Sequence, residues 1–235
     1  LTTTWTNRVP KAALDYTPAF HQGAGIGRLT RELIAALALL DTETDYRLFV
    51  AGAQSNQLPT PPGTNFAWCP SRLNSEWWAR LWQRARLPYP VENITGAVDL
   101  YHATDFVLPP TRKKTRTLLT VHDLTFARAP ETAAASLKAY LDVVVPRSVK
   151  RADHVLADSQ STKNDLIDLY NTPPEKITVL LSGADARFRP IFDTNARSAV
   201  RVKYKIPDRP YILAVGTVQP RKNYARLIQA LAQLR

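Results

Sequence analysis

Methionine is absent from the 235 residues, although a natural product starts with one and a chain this long normally holds several. Leu1 is therefore not expected to be the natural first residue, unless methionines have gone unrecorded. A single cysteine, Cys69, excludes an intramolecular disulfide framework and fits a reducing compartment, so the cytoplasm is the expected location. No apolar run approaches the ~18 residues of a membrane-spanning helix, and a soluble chain is expected. No secretory leader precedes Asn93-Ile94-Thr95, so its match to a glycosylation acceptor is read as chance.

Acidic residues are outnumbered, leaving a formal charge of +11. Such a field concentrates anions, whether nucleic acid, acidic membrane or phosphorylated ligands, without choosing among them. Only Arg112-Lys113-Lys114-Thr115-Arg116 is a tight basic cluster, and no nucleic-acid-binding signature accompanies it. A solvated loop is the simpler reading, and no nucleic-acid partner is expected. The 45% hydrophobic content is ample for a packed core.

Short apolar runs alternate with longer amphipathic stretches, the pattern of strands joined by crossover helices into a parallel sheet. Strands are predicted at 12–15, 46–50, 66–68, 99–103, 117–121, 155–158 and 177–180. Helices are predicted at 26–40, 75–86, 137–151 and 165–170. From 187 to 210 the composition turns charged and proline-bearing around an amphipathic 195–204 segment, as a connection between domains would. A strand at 211–215 and a helix at 221–234 then follow. The expected class is α/β: a Rossmann-like domain over 1–190, a connection over 191–209, and the first strand-helix unit of a second such domain over 210–235. One such unit cannot close a core, so a truncated second domain is expected.

Several groups are placed for chemistry. Gly23-Ala24-Gly25-Ile26-Gly27 joins a strand to a helix, where free backbone N–H groups and the helix dipole favour anions. Arg28 stands where a dinucleotide fingerprint would have its third glycine, which argues against nicotinamide or flavin. A plain tight turn explains the glycines equally well. His122, in Val121-His122-Asp123-Leu124, lies just beyond a strand's carboxyl end, where open α/β sheets bind ligands, and Asp123 adjoins it in sequence. His102 also ends a strand but reads as a packed loop residue, whereas His21 and His154 carry no signal. Ser159, Ser161 and Thr162 read as caps of the following helix, Thr162 and Asp165 having capping-box spacing. Gly216-Thr217 and Pro220-Arg221-Lys222-Asn223 flank a turn into a helix, setting two cations beside an anion site suited to a diphosphate.

Taken together, these motifs resemble the family 4 glycosyltransferases of the GT-B type. The resemblance runs from Ala13-Leu14-Asp15 through Gly25-Ile26-Gly27-Arg28, Tyr101-His102-Ala103, Val121-His122-Asp123-Leu124 and Asp158-Ser159. It continues through Pro174-Glu175-Lys176-Ile177 and Gly183-Ala184-Asp185 to Gly216-Thr217 and Pro220-Arg221-Lys222-Asn223. Ser182 stands where the family usually has Asn. The resemblance implies two Rossmann-like domains facing across a cleft, the first taking mainly acceptor and the second mainly nucleotide sugar. It implies retaining transfer with no cofactor and no obligatory metal. By the same resemblance His122 and Asp123 are the catalytic candidates, with His122 contacting the donor sugar. Gly25, Ile26, Gly27, Gly216 and Thr217 approach the donor, and Arg221 and Lys222 neutralise the leaving diphosphate. The family's acidic Glu pair is absent, so the chain by itself is expected to be inactive. Bacterial polysaccharide mannosyltransferases are the nearest likeness, which makes GDP-mannose the first donor candidate and a UDP-sugar the second, with a glycan or lipid-linked acceptor. The rival is a non-catalytic sugar- or anion-binding module derived from such an enzyme.

Trp77, Trp78 and Trp82 beside Arg80, Arg84 and Arg86 mix aromatics with cations as interfacial helices do, which would bring the protein to the inner face of an anionic membrane. Packing of the Trp face on the sheet is the simpler alternative.

Overall fold

The computed structural model describes residues 8–234. Among them seven strands form one sheet: β1 (Lys11–Asp15), β2 (Asp45–Ala51), β3 (Phe66–Ser71), β4 (Leu100–Ala103), β5 (Arg116–Val121), β6 (His154–Ala157) and β7 (Ile177–Val179). All pairings are parallel, in the order β3-β2-β1-β4-β5-β6-β7. Parallel strands need covered faces, and the central ones are accordingly apolar almost throughout, as in Ala12, Ala13 and Leu14 of β1. The predicted strands are all present up to β7, and the α/β expectation holds. The sheet also fixes where a ligand goes, because β1 is flanked by β2 on one side and β4 on the other. The chain reverses its direction of travel there, opening a crevice at the strands' carboxyl ends.

The helices are α1 (Thr17–His21), α2 (Gly25–Leu40), α3 (Ser75–Trp78), α4 (Glu92–Thr95), α5 (Thr125–Arg128), α6 (Ala135–Arg151), α7 (Gln160–Tyr170), α8 (Thr194–Lys203) and α9 (Tyr224–Gln233). One sheet face, with Leu14, Tyr46, Leu48 and Phe66, packs against Ile34 and Leu37 of α2. The other, with Tyr101, Leu119, Val121 and Val155, packs against Val144, Val145 and Val149 of α6 and Leu166 of α7. The predicted helix at 75–86 is α for only one turn and then widens into a π turn over Ala79–Arg84. Widening keeps Trp78 buried and stacks it on Trp82 at 4.2 Å, while Trp77 stays half exposed under the Arg80 guanidinium. Two of the three Trp therefore pack toward the core, as the simpler alternative has it. Among the described residues no helix is long and apolar enough to cross a membrane.

The chain divides into two compact units, Leu1–Ser182 and Gly183–Arg235. In the second, α8 and α9 form, with Asp193 capping α8 through bonds from the N–H groups of Asn195 and Ala196. Residues 211–215, predicted as a strand, form none. A strand needs a neighbour for its backbone polar groups, and none pairs with this segment among the described residues.

Gly27 shows how close the packing is at the start of α2. Gly27, Thr30 and Ile34 are buried on one face of the helix. An added Cβ at Gly27 would collide with the carbonyl oxygens of Gln22 and of Pro18, the latter 2.6 Å away, whereas at Gly25 it would meet nothing within 4 Å. Arg31 clamps the same turn by donating to the carbonyls of Ala19 and Gln22. Gly27→Ala is therefore expected to destabilise the protein by about 1 to 3 kcal/mol, and Gly25→Ala to change stability little. Urea unfolding of the two variants checks the contrast.

Candidate functional site

The carboxyl ends of β1, β4, β5 and β6 converge on His122, which directly follows β5 and is buried. Its Nδ1 lies 2.8 Å from Asp158 Oδ2 and its Nε2 lies 3.0 Å from the carbonyl oxygen of Thr104. Both partners are acceptors, and a neutral imidazole carries only one N–H, so only the imidazolium donates to both. Burial alone would lower the His122 pKa. The bond and charge of Asp158, the charge of Asp105 and the Thr104 carbonyl outweigh burial and raise it above the ordinary imidazole value. The stability that this charge contributes is complete below the unfolded pKa of about 6.5 and is lost as pH rises through the raised folded value.

The carboxylate that orients His122 is thus Asp158, and not the adjacent Asp123. Asp123 Oδ1 instead accepts from the Thr125 N–H at 2.9 Å and starts α5, because successive residues leaving a strand point to opposite sides. Ser159 caps α7, its Oγ accepting from the Thr162 N–H. Thr162, read from its spacing as a cap, donates its hydroxyl to the His122 carbonyl at 3.0 Å. The loop after β4 closes the other side. Phe106 sits in the left-handed region at φ +41°, inside a tight turn in which the Val107 N–H bonds the Asp105 carbonyl. Its ring meets His122 edge-on at 5.4 Å. Backbone strain of this kind collects where the surroundings over-determine the conformation.

His102 behaves as the packed residue expected. It is buried and bonded to the Thr120 hydroxyl at 2.8 Å. Burial, with help from the His122 charge, lowers its pKa to about 4.

The glycine turn reaches the same region. Gly25 and Ile26 open α2, whose N-terminus has no side-chain cap, and Gln22 just before it donates to Asp105 Oδ2 at 3.4 Å. Gly27 serves packing, as above. The remaining candidates lie in the second unit. Pro220–Lys222 forms a 3-10 turn leading into α9, with Arg221 Nε bonded to Gln219 Oε1 at 2.9 Å and Lys222 exposed. Gly216 is held near Tyr224, where an added Cβ would fall 2.7 Å from the phenol oxygen, and Thr217 adjoins it. The basic cluster at 112–116 enters β5 at its amino end, away from the site, and is anchored on the buried Glu92. One Glu92 oxygen accepts from the Arg112 N–H at 2.9 Å and from the Thr115 hydroxyl at 2.5 Å.

Sequence reasoning missed two carboxylates. Asp15 ends β1 and Asp105 follows β4, so the strand order sets them on either side of the crevice. Burial raises both pKa values, that of Asp15 to about 6, and the charge of Asp105 adds to the rise at Asp15 and helps to keep His122 protonated. They line a cavity of about 210 Å³ together with His21, Trp78, Trp82 and Tyr140. The advance signals were slight: Asp15 closes an apolar strand run and belongs to the Ala13-Leu14-Asp15 motif, and Asp105 stands two residues beyond β4.

The lowered His102 pKa predicts a pH dependence with a definite sign. The unfolded imidazole takes up a proton near pH 6.5 and the folded one only near pH 4, so this residue costs stability progressively as pH falls through that window. The stability of wild type relative to His102→Gln is expected to fall by about 3 kcal/mol from pH 7 to pH 4. Urea titrations at several pH values measure it, and a pH-independent difference would contradict the assignment.

Comparison with known proteins agrees with this geometry. Residues 23–188 match Glycosyltransferase Family 4. The O-antigen chain mannosyltransferase B of Escherichia coli is 25% identical over 214 residues, covering 88% of this chain and 55% of that protein. The O-antigen chain mannosyltransferase RfbU of Salmonella typhimurium is 30% identical over 134 residues, 57% of this chain and 33% of its own. A D-inositol 3-phosphate glycosyltransferase of Salinispora tropica is 40% identical over 91 residues, 37% of this chain and 19% of its own. The crystal structure of a glycosyltransferase from Rickettsia africae superposes with a TM-score of 0.57 at 17% identity, covering 98% of this chain and 58% of that one, and so shares the fold. The chain spans about half the length of the first of these relatives and of the Rickettsia structure. Because the family match takes in well over half of the sequence and falls on the residues that build the His122 site, the chain belongs to Glycosyltransferase Family 4.

Proposed function

We propose that this chain is the acceptor side of a retaining glycosyltransferase that moves a sugar from a nucleotide-sugar donor to a glycan or lipid-linked acceptor. The observation that carries the reading is His122, held between Asp158 and the Thr104 carbonyl at the carboxyl edge of the sheet, a geometry that favours the imidazolium. A buried, pre-aligned cation there orients and stabilises an electron-rich donor without reorganising during the reaction. Gly25 and Ile26, open at the amino end of α2, offer backbone N–H groups to the same donor. Arg221 and Lys222, beside Gly216 and Thr217, are assigned to the departing diphosphate, whose charge they offset. Transfer is proposed to need no metal or cofactor. Mannose is the favoured sugar and GDP-mannose the favoured donor, supported by the two relatives named as O-antigen chain mannosyltransferases.

His122→Ala in the complete gene product is expected to cost about 2 to 4 kcal/mol of transition-state stabilisation, roughly 30- to 1000-fold in rate, with the fold retained. Nucleotide release from GDP-mannose and from UDP-sugars, with circular dichroism as the folding control, measures it. Near-normal turnover would remove His122 from the mechanism.

A further inference from the structure

The cavity at the β1/β4 crevice has a chemical character that goes beyond sugar transfer in general. Asp15 and Asp105 face it from the ends of two neighbouring strands, and Trp78 and Trp82, stacked at 4.2 Å, line it beside Tyr140. Asp15 Oδ1 accepts from the Thr17 N–H at 2.9 Å. Oδ1 of Asp105 is buried and has no hydrogen-bond partner among the described residues, while its Oδ2 has only the 3.4 Å contact from Gln22. A buried carboxylate oxygen left without a donor is costly, and the group that would satisfy it must donate hydrogen bonds. None of the described residues lining the cavity is Lys or Arg. Of the two cations on α2, Arg28 pairs with Glu32 and Arg31 is turned to the carbonyls of Ala19 and Gln22, and His21 Nε2 is held on the Ala51 carbonyl at 2.7 Å.

We propose that this cavity seats the acceptor and selects an uncharged sugar or polyol over a phosphorylated one. The hydroxyls of the acceptor donate to Asp15 and Asp105, and its apolar C–H face lies against the Trp78 and Trp82 wall. The inference rests on the glycosyl-transfer reading and specifies the substrate class of that site. Specificity follows from what the cavity lacks as much as from what it offers. A phosphate brings two negative charges toward two carboxylates with no cationic partner in the lining, and like-charge approach in a partly desolvated site is strongly unfavourable. A neutral polyol brings the hydrogen-bond donors that the two carboxylates lack, and brings no charge.

Saturation-transfer NMR titrations of the chain with methyl α-mannoside and with mannose 6-phosphate test this directly. The neutral glycoside is expected to bind at least tenfold more tightly than the phosphorylated sugar. Asp105→Asn and Asp15→Asn, each removing one negative charge, are expected to shrink that gap to threefold or less. Binding of mannose 6-phosphate as tight as that of the glycoside, or tighter, would overturn the proposal, as would binding of neither. The wild-type comparison decides the matter even where a variant fails to fold. An enzyme that releases nucleotide but glycosylates only phosphorylated acceptors would refute this selectivity and leave the transfer reading standing. A chain that binds the neutral glycoside, but whose complete gene product releases no nucleotide, would do the reverse.

Discussion

The arrangement of the site depends on one side chain held between two acceptors. His122 can satisfy both Asp158 and the Thr104 carbonyl only by carrying two protons, and the neighbouring structure is built around that demand. Asp158 directly follows β6 as His122 follows β5, so the parallel pairing of Val121 with Ala157 brings the two level. Thr104 follows β4 on the other side, and its own hydroxyl donates to the Asp15 carbonyl at 2.6 Å, tying the His122 cradle to β1. Thr162 holds the His122 backbone from α7. Four strands and a helix are thus joined through hydrogen bonds around a single ring, and a network of this kind tolerates little displacement of any one member.

The same network divides the carboxyl edge of the sheet by charge. Beside β5 and β6 the site holds His122 paired with Asp158, and beside β1 and β4 it holds the two acids. Asp105 belongs to both regions: its charge helps to keep His122 protonated, and the His122 charge in turn opposes the effect of burial on Asp105. A sheet edge with a cation beside a pair of acids is suited to holding two different ligands, one anionic and one rich in hydroxyl donors. The proposed transfer between a nucleotide sugar and an acceptor makes that demand.

Much of the fold was legible because a doubly wound sheet writes itself in the sequence as short apolar runs between amphipathic stretches. The strands β1 to β7 and the helices α2, α6, α7, α8 and α9 follow from periodicity alone. The short helices α1, α4 and α5 did not, since one turn carries no period. The π turn at Ala79–Arg84 escaped because widening a helix depends on what its Trp residues pack against. In the site, His122 was marked by its place after an apolar strand, whereas its carboxylate partner was not. Adjacency in sequence pointed to Asp123, but partners in a parallel sheet come from the neighbouring strand, 36 residues away in the case of Asp158. Asp15 and Asp105 were hidden for the same reason, because their meeting depends on the order β2-β1-β4 and not on any local motif.

The protonation of His122 is the most direct test of this account, and nitrogen-15 NMR of the imidazole ring reads it. With both ring nitrogens facing acceptors, the spectrum at pH 7 should show two protonated nitrogens, and Asp158→Asn should lower the pH at which one proton is lost. A ring with one unprotonated nitrogen at pH 7, unchanged by Asp158→Asn, would contradict the central claim.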